Sequence, residues 1–436
     1  MRVYLDHIGC RLNEAEQATW RRELVARGHR TVGRLEDATV AVFNTCAVTA
    51  EAARDSRKRT RKLHRRNPNA QLVLTGCFAT LEPAVAAALS GVDLVIPNRD
   101  KHLLVQQLEA ALTPGEAPHA ATDPDAPVHP DRGRTRAFIK IQDGCRNRCT
   151  FCIVTTARGE ERSRTPAALV QEVNAAHADG HQEVVLTGVH IGGYGGDLGI
   201  DLRALIDALL AETTVPRIRL GSLEPWDVPP DLFDRWQDNP RLMPHLHLPL
   251  QSGSDAILRR MARRCTVGQY RALVDRARNQ IPALHLTTDL IVGFPGETES
   301  DHAATLARVR ELGFGHVHAF SYSKREGTAA AGFPHPVPRD VQRRRAAELH
   351  ATAAETQAAS LRARVGEVRP VLWERPGRVV DGRRHLGGYT DTFHRVRTET
   401  DENVDLTGKI TDTMLLDLAL NPTPALTGRV ILPEPL

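Results

Sequence analysis

Cys145-Arg-Asn-Arg-Cys149-Thr-Phe-Cys152 places three cysteines in one short loop, directly after the strand-like run Ala137-Phe-Ile-Lys-Ile-Gln. Three thiolates this close together suit a soft metal centre. A structural zinc site closes on four ligands, usually paired as C-x2-C. A cubane iron–sulfur cluster normally takes four cysteines. Only three are offered, so one iron of such a cluster lacks a protein ligand and stays open to a small molecule. Phe151, just before the last cysteine, is placed to shield the cluster and touch that molecule. The alternatives are a zinc knuckle or three buried thiols, since cysteine often behaves as a small hydrophobe.

The 436 residues suffice for about three domains of ~150 residues each. The net charge of +4 is carried mostly by Arg, and its local distribution matters more than its sum. Seven cysteines, an odd number at these spacings, do not make a secreted disulfide framework. Met1-Arg-Val-Tyr-Leu-Asp runs straight into a strand pattern with no signal-peptide core, and no apolar run approaches a membrane span. These features predict a reduced, cytoplasmic, soluble protein with no membrane partner.

In residues 1–113 three apolar runs each end on a cysteine. Val3-Tyr-Leu-Asp-His-Ile-Gly leads to Cys10, Thr39-Val-Ala-Val-Phe-Asn-Thr to Cys46, and Gln71-Leu-Val-Leu-Thr-Gly to Cys77. Helical patterns follow at 14–27, 50–66 and 82–89, and a strand at Val92–Ile96 with a helix over 100–112 completes the unit. Such alternation predicts a parallel α/β sandwich, in which ligands sit beyond the carboxyl ends of the strands. Cys10, Cys46 and Cys77 all fall at those ends and could converge on a second cluster; unrelated core thiols would be scattered. In the helix after Cys46, Arg54, Arg57, Lys58, Arg61, Lys62 and Arg65 make a basic stripe. This is either a solvated face or an RNA-binding face that neutralises phosphates.

Residues 114–136, rich in Pro, Ala and Asp, read as a linker. Over 137–361 strand and helix patterns alternate six times, predicting a partial (β/α)6 barrel whose chemistry gathers at the strand C-termini. Among these repeats are a strand at Leu246–Leu250 and a helix at Pro230–Trp236. Gly188, Glu224, Gln251, Gly293 and Pro295 stand at the strand ends, where glycine lets backbone approach a nucleoside. His190, Glu224 and Arg325 could each equally be a structural hydrogen-bonding residue. Cys265 lies away from both cysteine groups and reads as an ordinary thiol. Over 363–433 short strands, including one at Asn403–Ile410, predict a small β-barrel that binds nucleic acid or another domain.

Taken together, these regions resemble the methylthiotransferase family of radical S-adenosylmethionine (SAM) enzymes over nearly the whole chain. Gly9-Cys10-Arg-Leu-Asn13, Asn44-Thr45-Cys46 and Thr75-Gly76-Cys77 match that family's own N-terminal domain. Gly388-Tyr-Thr-Asp-Thr-Phe-His-Arg-Val396 resembles its TRAM domain, an RNA-binding barrel. Lys140-Ile-Gln-Asp-Gly-Cys145, Cys149-Thr-Phe-Cys-Ile153, Ala157-Arg-Gly159 and Val185-Leu-Thr-Gly-Val-His190 are similar to the branch that acts on threonylcarbamoyladenosine, just 3′ of the tRNA anticodon. No Gly-Gly-Glu follows the second strand; Thr187-Gly188-Val189 stands there, as in that branch.

The resemblance implies two 4Fe–4S clusters, an auxiliary one on Cys10, Cys46 and Cys77 and a radical one on Cys145, Cys149 and Cys152. It implies SAM near Phe151, Gly188, Glu224, Gln251, Gly293 and Pro295. The implied partners are tRNA, an electron-donor protein and a sulfur donor. The implied reaction puts a methylthio group at C2 of the modified adenine and uses two SAM molecules. No side-chain acid or base is conspicuous, and none breaks an aromatic C–H bond. Related branches act on isopentenyladenosine in tRNA or on a ribosomal-protein aspartate. A reading of another class is a non-enzymatic, metal-stabilised RNA-binding protein.

Overall fold

The computed structural model describes residues 1–112, 135–237, 239–374, 377–420 and 423–431. These form two compact units, residues 1–112 with 143–162 and 323–331, and residues 135–142 with 163–322 and 332–431. The expected linker lies outside the described residues apart from Thr135 and Arg136, as do the last residues of the expected C-terminal barrel.

The first unit is built on β1 (Arg2–His7), α1 (Arg11–Ala26), β2 (Arg30–Thr31), β3 (Val40–Thr45), α2 (Ala50–Arg66), β4 (Gln71–Gly76), α3 (Cys77–Leu81), α4 (Pro83–Ala87), β5 (Val92–Ile96) and α5 (Leu104–Ala111). The five strands form one parallel sheet in the order β2-β1-β3-β4-β5. The near-continuous apolar run of β3 suits a strand covered on both faces, and every residue of it is buried. Thr49 caps α2 by accepting from the Ala52 amide, and Ala53, Ser56, Thr60 and Leu63 recur at helical spacing to bury one face. The helix expected over 82–89 begins earlier, at Cys77. Gly76, at φ +99°, turns the chain directly out of β4, and Pro83 then starts the separate α4.

Next come β6 (Arg136–Lys140), β7 (Gln142–Asp143), α6 (Val154–Arg158), β8 (Arg162–Ser163), α7 (Pro166–Ala178), β9 (Glu183–Thr187), α8 (Leu202–Glu212), β10 (Arg217–Leu220), β11 (His245–His247), α9 (Asp255–Arg260), α10 (Val267–Gln280), β12 (His285–Val292), α11 (Glu299–Leu312), β13 (His316–Ser321) and α12 (Arg339–Arg362). In the second unit, parallel sheets β10-β9-β6 and β11-β12-β13 are linked by the bridge pairs Ile218↔Leu242 and Ser222↔His247. Val184, Leu186, Ile218, Leu220, Leu246, Leu286 and Leu290 pack with Leu169, Leu205, Tyr270 and Val309 of the helices in one core. β11 stops short of the strand expected at Leu246–Leu250, because Pro249 has no amide to donate and Gln251 turns to φ +72°. The helix expected near Pro230–Trp236 is a 3-10 turn, Leu232–Trp236.

The chain ends in β14 (Val368–Trp373), β15 (Arg378–Val380), β16 (Arg383–Thr390), β17 (Arg395–Asp401), β18 (Ile410–Ala419) and β19 (Ala425–Val430), ordered β14-β18-β19-β17-β16-β15 with β14 also paired to β16. The strand expected at Asn403–Ile410 is a run of turns, and β18 starts only at Ile410. The β16–β17 turn seats Phe393 and His394 against the N-terminal ends of β10, β11 and β12. Phe393 lies 4.7 Å from the Arg219 guanidinium and 4.9 Å from the His245 ring, and His394 stacks on His285 at 4.0 Å. Arg217 donates to the Pro370 carbonyl at 2.7 Å, and Arg219 pairs with buried Glu183 at 2.7 Å. Burial pushes His285 down to about 4 and His245 and His394 well below the usual imidazole range, so this junction holds neutral rings.

Candidate metal centre

Cys10, Cys46 and Cys77 follow β1, β3 and β4, three neighbouring strands of one parallel sheet, so their thiols leave the same sheet edge. Cys10 caps α1 and is exposed, whereas Cys46 and Cys77 are buried. A Cβ on Gly9 would lie 2.8 Å from the Cys46 Sγ, so the backbone before Cys10 runs directly against the second thiol. Burial lifts the Cys46 thiol to about 11, and the charges of Cys77 and Cys10 push the same way. Three thiols whose charges oppose one another resist joint ionisation until a cation shares them, which fits a thiolate-bound cluster.

The second trio belongs to the same unit. Gly144, at φ +80°, opens the loop, and a Cβ there would strike the Glu160 carbonyl. The Cys145 amide donates to the Gly159 carbonyl at 3.1 Å, closing the loop at its base. The Cys152 amide donates to the Cys149 carbonyl at 3.0 Å and the Val154 amide to the Cys152 Sγ at 3.4 Å. Phe151 sits half-buried between these cysteines. A backbone amide aimed at the Cys152 sulfur and three half-buried thiols are a donor set that fits a cluster.

Between the trios lies a buried network that the sequence did not announce. Arg158 donates to Glu16 at 2.9 Å, to Asp143 at 3.0 Å and to Asn13 at 3.0 Å. Lys101 donates to the other Glu16 oxygen at 2.6 Å and to Asn44 at 2.9 Å. Burial alone would weaken the Arg158 charge; Glu16 and Asp143, with Cys77 and Cys10 beyond, hold it firmly protonated. Burial pulls the Lys101 ammonium below its usual range, against Glu16. Asn98 donates to the Ala157 carbonyl at 2.7 Å and to the Cys77 Sγ at 3.7 Å, joining a residue of the second loop to a thiol of the first. Asn13 and Arg158 stand inside motifs singled out in the sequence, but nothing there paired them.

The other candidates divide. Arg54, Lys58, Arg61, Lys62 and Arg65 are exposed along α2, whereas Arg57 is half-buried, paired with Glu82 at 3.3 Å and lying over Phe78. Glu224 is held by Arg263 at 2.6 Å, His190 by Asp227 at 2.7 Å and Arg325 by Glu82 at 3.4 Å. Gln142 Oε1 accepts from the Val189 and His190 amides, fixing the turn after Gly188. Gly293, at φ +74°, abuts Gln342, and the Pro295 carbonyl accepts from Arg260 at 3.0 Å. Gln251 holds its left-handed conformation between the Asp289 carbonyl and the Ile291 amide; such strain in a non-glycine residue often marks a functional position. Cys265 belongs to the second unit and donates to the Thr266 carbonyl at 3.2 Å.

Residues 139–309 match the model of the Radical SAM superfamily, and residues 2–97 match that of Uncharacterized protein family UPF0004. The chain is 33% identical to the threonylcarbamoyladenosine tRNA methylthiotransferase MtaB of Thermotoga maritima, over 91% of this chain and 94% of that one. It is 36% identical to the tRNA-2-methylthio-N(6)-dimethylallyladenosine synthase of Syntrophobacter fumaroxidans, over 94% and 92%. In fold it is similar to the radical SAM methyltransferase TsrM of Kitasatospora setae, solved with cobalamin and a 4Fe–4S cluster, at 16% identity and a TM-score of 0.53 over 74% and 75% of the two chains. Among the described residues no helix is long and apolar enough to cross a membrane. With SAM and a 4Fe–4S cluster as the cofactors that go with it, the family follows from these likenesses: the chain belongs to the radical SAM methylthiotransferases.

Proposed function

We propose that this enzyme inserts a methylthio group at C2 of N6-threonylcarbamoyladenosine beside the tRNA anticodon, using two clusters and two SAM molecules. The observation that carries the reading is the placement of Cys10, Cys46 and Cys77 at three neighbouring strand ends, in the same unit as Cys145, Cys149 and Cys152. When bound, the clusters and SAM supply what no side chain here can, a radical able to break an aromatic C–H bond and a sulfur able to carry a methyl group. The chain itself holds the thiols, keeps Arg158 charged beside Cys10 and Cys77, and buries Cys46 and Cys77 away from water. On this reading the six parallel strands of the second unit form the partial barrel that receives SAM, and the closed C-terminal strands form the TRAM-like RNA-binding barrel. The exposed cations of α2 suit the phosphates of the tRNA.

Cys149→Ala should abolish deoxyadenosine formation from SAM by the anaerobically reconstituted enzyme. Cys46→Ala should spare that cleavage and stop methylthio insertion; normal methylthio product from Cys46→Ala would refute the auxiliary cluster. The likeness to the dimethylallyladenosine enzymes keeps a second tRNA substrate in view. Mass spectrometry of tRNA nucleosides from cells with and without the protein decides between the two adenosines.

A further inference from the structure

On β11, β12 and β13 the residues alternate between two environments. Leu246, Leu286, Leu290 and Val317 are buried in the core shared with the helices. The residues out of phase with them, paired by register as His247↔Thr287 and Asp289↔His318, lie on the opposite face. Phe393 and His394 close that face toward the strand N-termini. Farther along, it carries His247 and Asp289, both half-buried, and exposed His318. A polar atom from each of the three lies within 4.8 Å of the others. His247 Nε2 stands 3.3 Å from Asp289 Oδ1, its Nδ1 is fixed 2.9 Å from the Thr287 hydroxyl, and its ring meets His318 edge-on at 5.6 Å.

The relatives named above act on adenosines that differ in the group on N6. A threonylcarbamoyl group carries urea N–H donors, a hydroxyl and a carboxylate; a dimethylallyl group is hydrocarbon. Covering two imidazoles and a carboxylate with hydrocarbon would strip them of water and return no hydrogen bond. We propose that His247, Asp289 and His318 form a specificity site for the polar N6 substituent, with Asp289 accepting from its N–H or hydroxyl groups, His318 donating to its carboxylate, and His247, set between Thr287 and Asp289, holding the carboxylate of Asp289 in place. The proposal rests on the tRNA reading given above. Sites built to hydrogen-bond a substrate group reject analogues that lack it far more strongly than apolar pockets sort by size.

The test uses cluster-reconstituted wild type, His318→Leu, Asp289→Asn and His318→Gln. Each is given tRNA carrying threonylcarbamoyladenosine or dimethylallyladenosine. Methylthio product is read by mass spectrometry as kcat/KM, normalised to bound iron and to deoxyadenosine formed without tRNA. His318→Leu and Asp289→Asn should each lower the preference for the threonylcarbamoyl substrate by about ten- to a hundredfold, while His318→Gln, which keeps an N–H donor, retains more of it. A preference unmoved by both, or an added metal ion lost with the same variants, overturns the specificity site alone, whereas a wild type that prefers dimethylallyl overturns the threonylcarbamoyl substrate reading together with the site. A wild type that methylthiolates neither tRNA refutes the tRNA reading and this site with it.

Discussion

Arg158 Nη1 donates to Glu16 Oε1 at 2.9 Å although 142 residues separate them, and their side chains are only 2% and 4% exposed. Removing Arg158 takes away the guanidinium that Glu16 and Asp143 share and leaves Lys101 as the cation on Glu16 in a buried network. Arg158→Ala should therefore cost roughly 3–5 kcal/mol of stability. Chemical denaturation of the purified protein measures this, and a loss below about 1 kcal/mol, the scale of an exposed pair, would contradict it.

The ring junction sets a pH dependence. The His285 ring titrates at about 4 in the fold against 6.5 for an ordinary imidazole, and His245 and His394 are displaced the same way. Between those values the unfolded chain takes up a proton that the fold refuses, so stability falls as pH drops from 6.5 toward 4. His285 alone accounts for up to roughly 3 kcal/mol. Denaturation midpoints should hold level on the histidines' account just above pH 6.5 and decline below it, and His285→Gln should flatten the decline; an equal slope in both proteins would contradict the assignment.

Gly9 adopts φ +99°, and a Cβ there would lie 2.7 Å from the Cys46 Cβ. Gly9→Ala combines about 1–2 kcal/mol of backbone strain with displacement of the second thiol. After anaerobic reconstitution it should hold less iron per chain than wild type and keep deoxyadenosine formation. Gly33→Ala, with open space around it, serves as the control and should reconstitute fully.

Arg54, Lys58, Arg61 and Arg65 are exposed on α2. If they meet phosphates, replacing all four with Ala weakens tRNA binding and flattens the plot of log K against log salt by about 0.7–0.9 for each phosphate no longer neutralised. Binding titrations at several salt concentrations read this directly, and an unchanged slope means that the stripe is only a solvated face.

The alternation of strands and helices, the cysteines at the strand ends and the basic stripe were all legible in the sequence, because each is written at a short, regular spacing. What escaped was written across distance. Nothing in the sequence links Glu16, Lys101, Asp143 and Arg158, which the fold buries together. Likewise only strand register aligns His247, Asp289 and His318, which are separated in turn by 42 and 29 residues in the sequence. Boundaries failed where single residues override a pattern, as Gly76, Pro83 and Pro249 do.

The shared network around Glu16 also limits how this enzyme can be rebuilt. Residues 143–162 fold with residues 1–112, so an N-terminal fragment cut near residue 112 would strand Glu16 and Asn13 without their guanidinium. A chimera with a relative must move the segment carrying Arg158 along with the first sheet, or else graft a matching acid and base together.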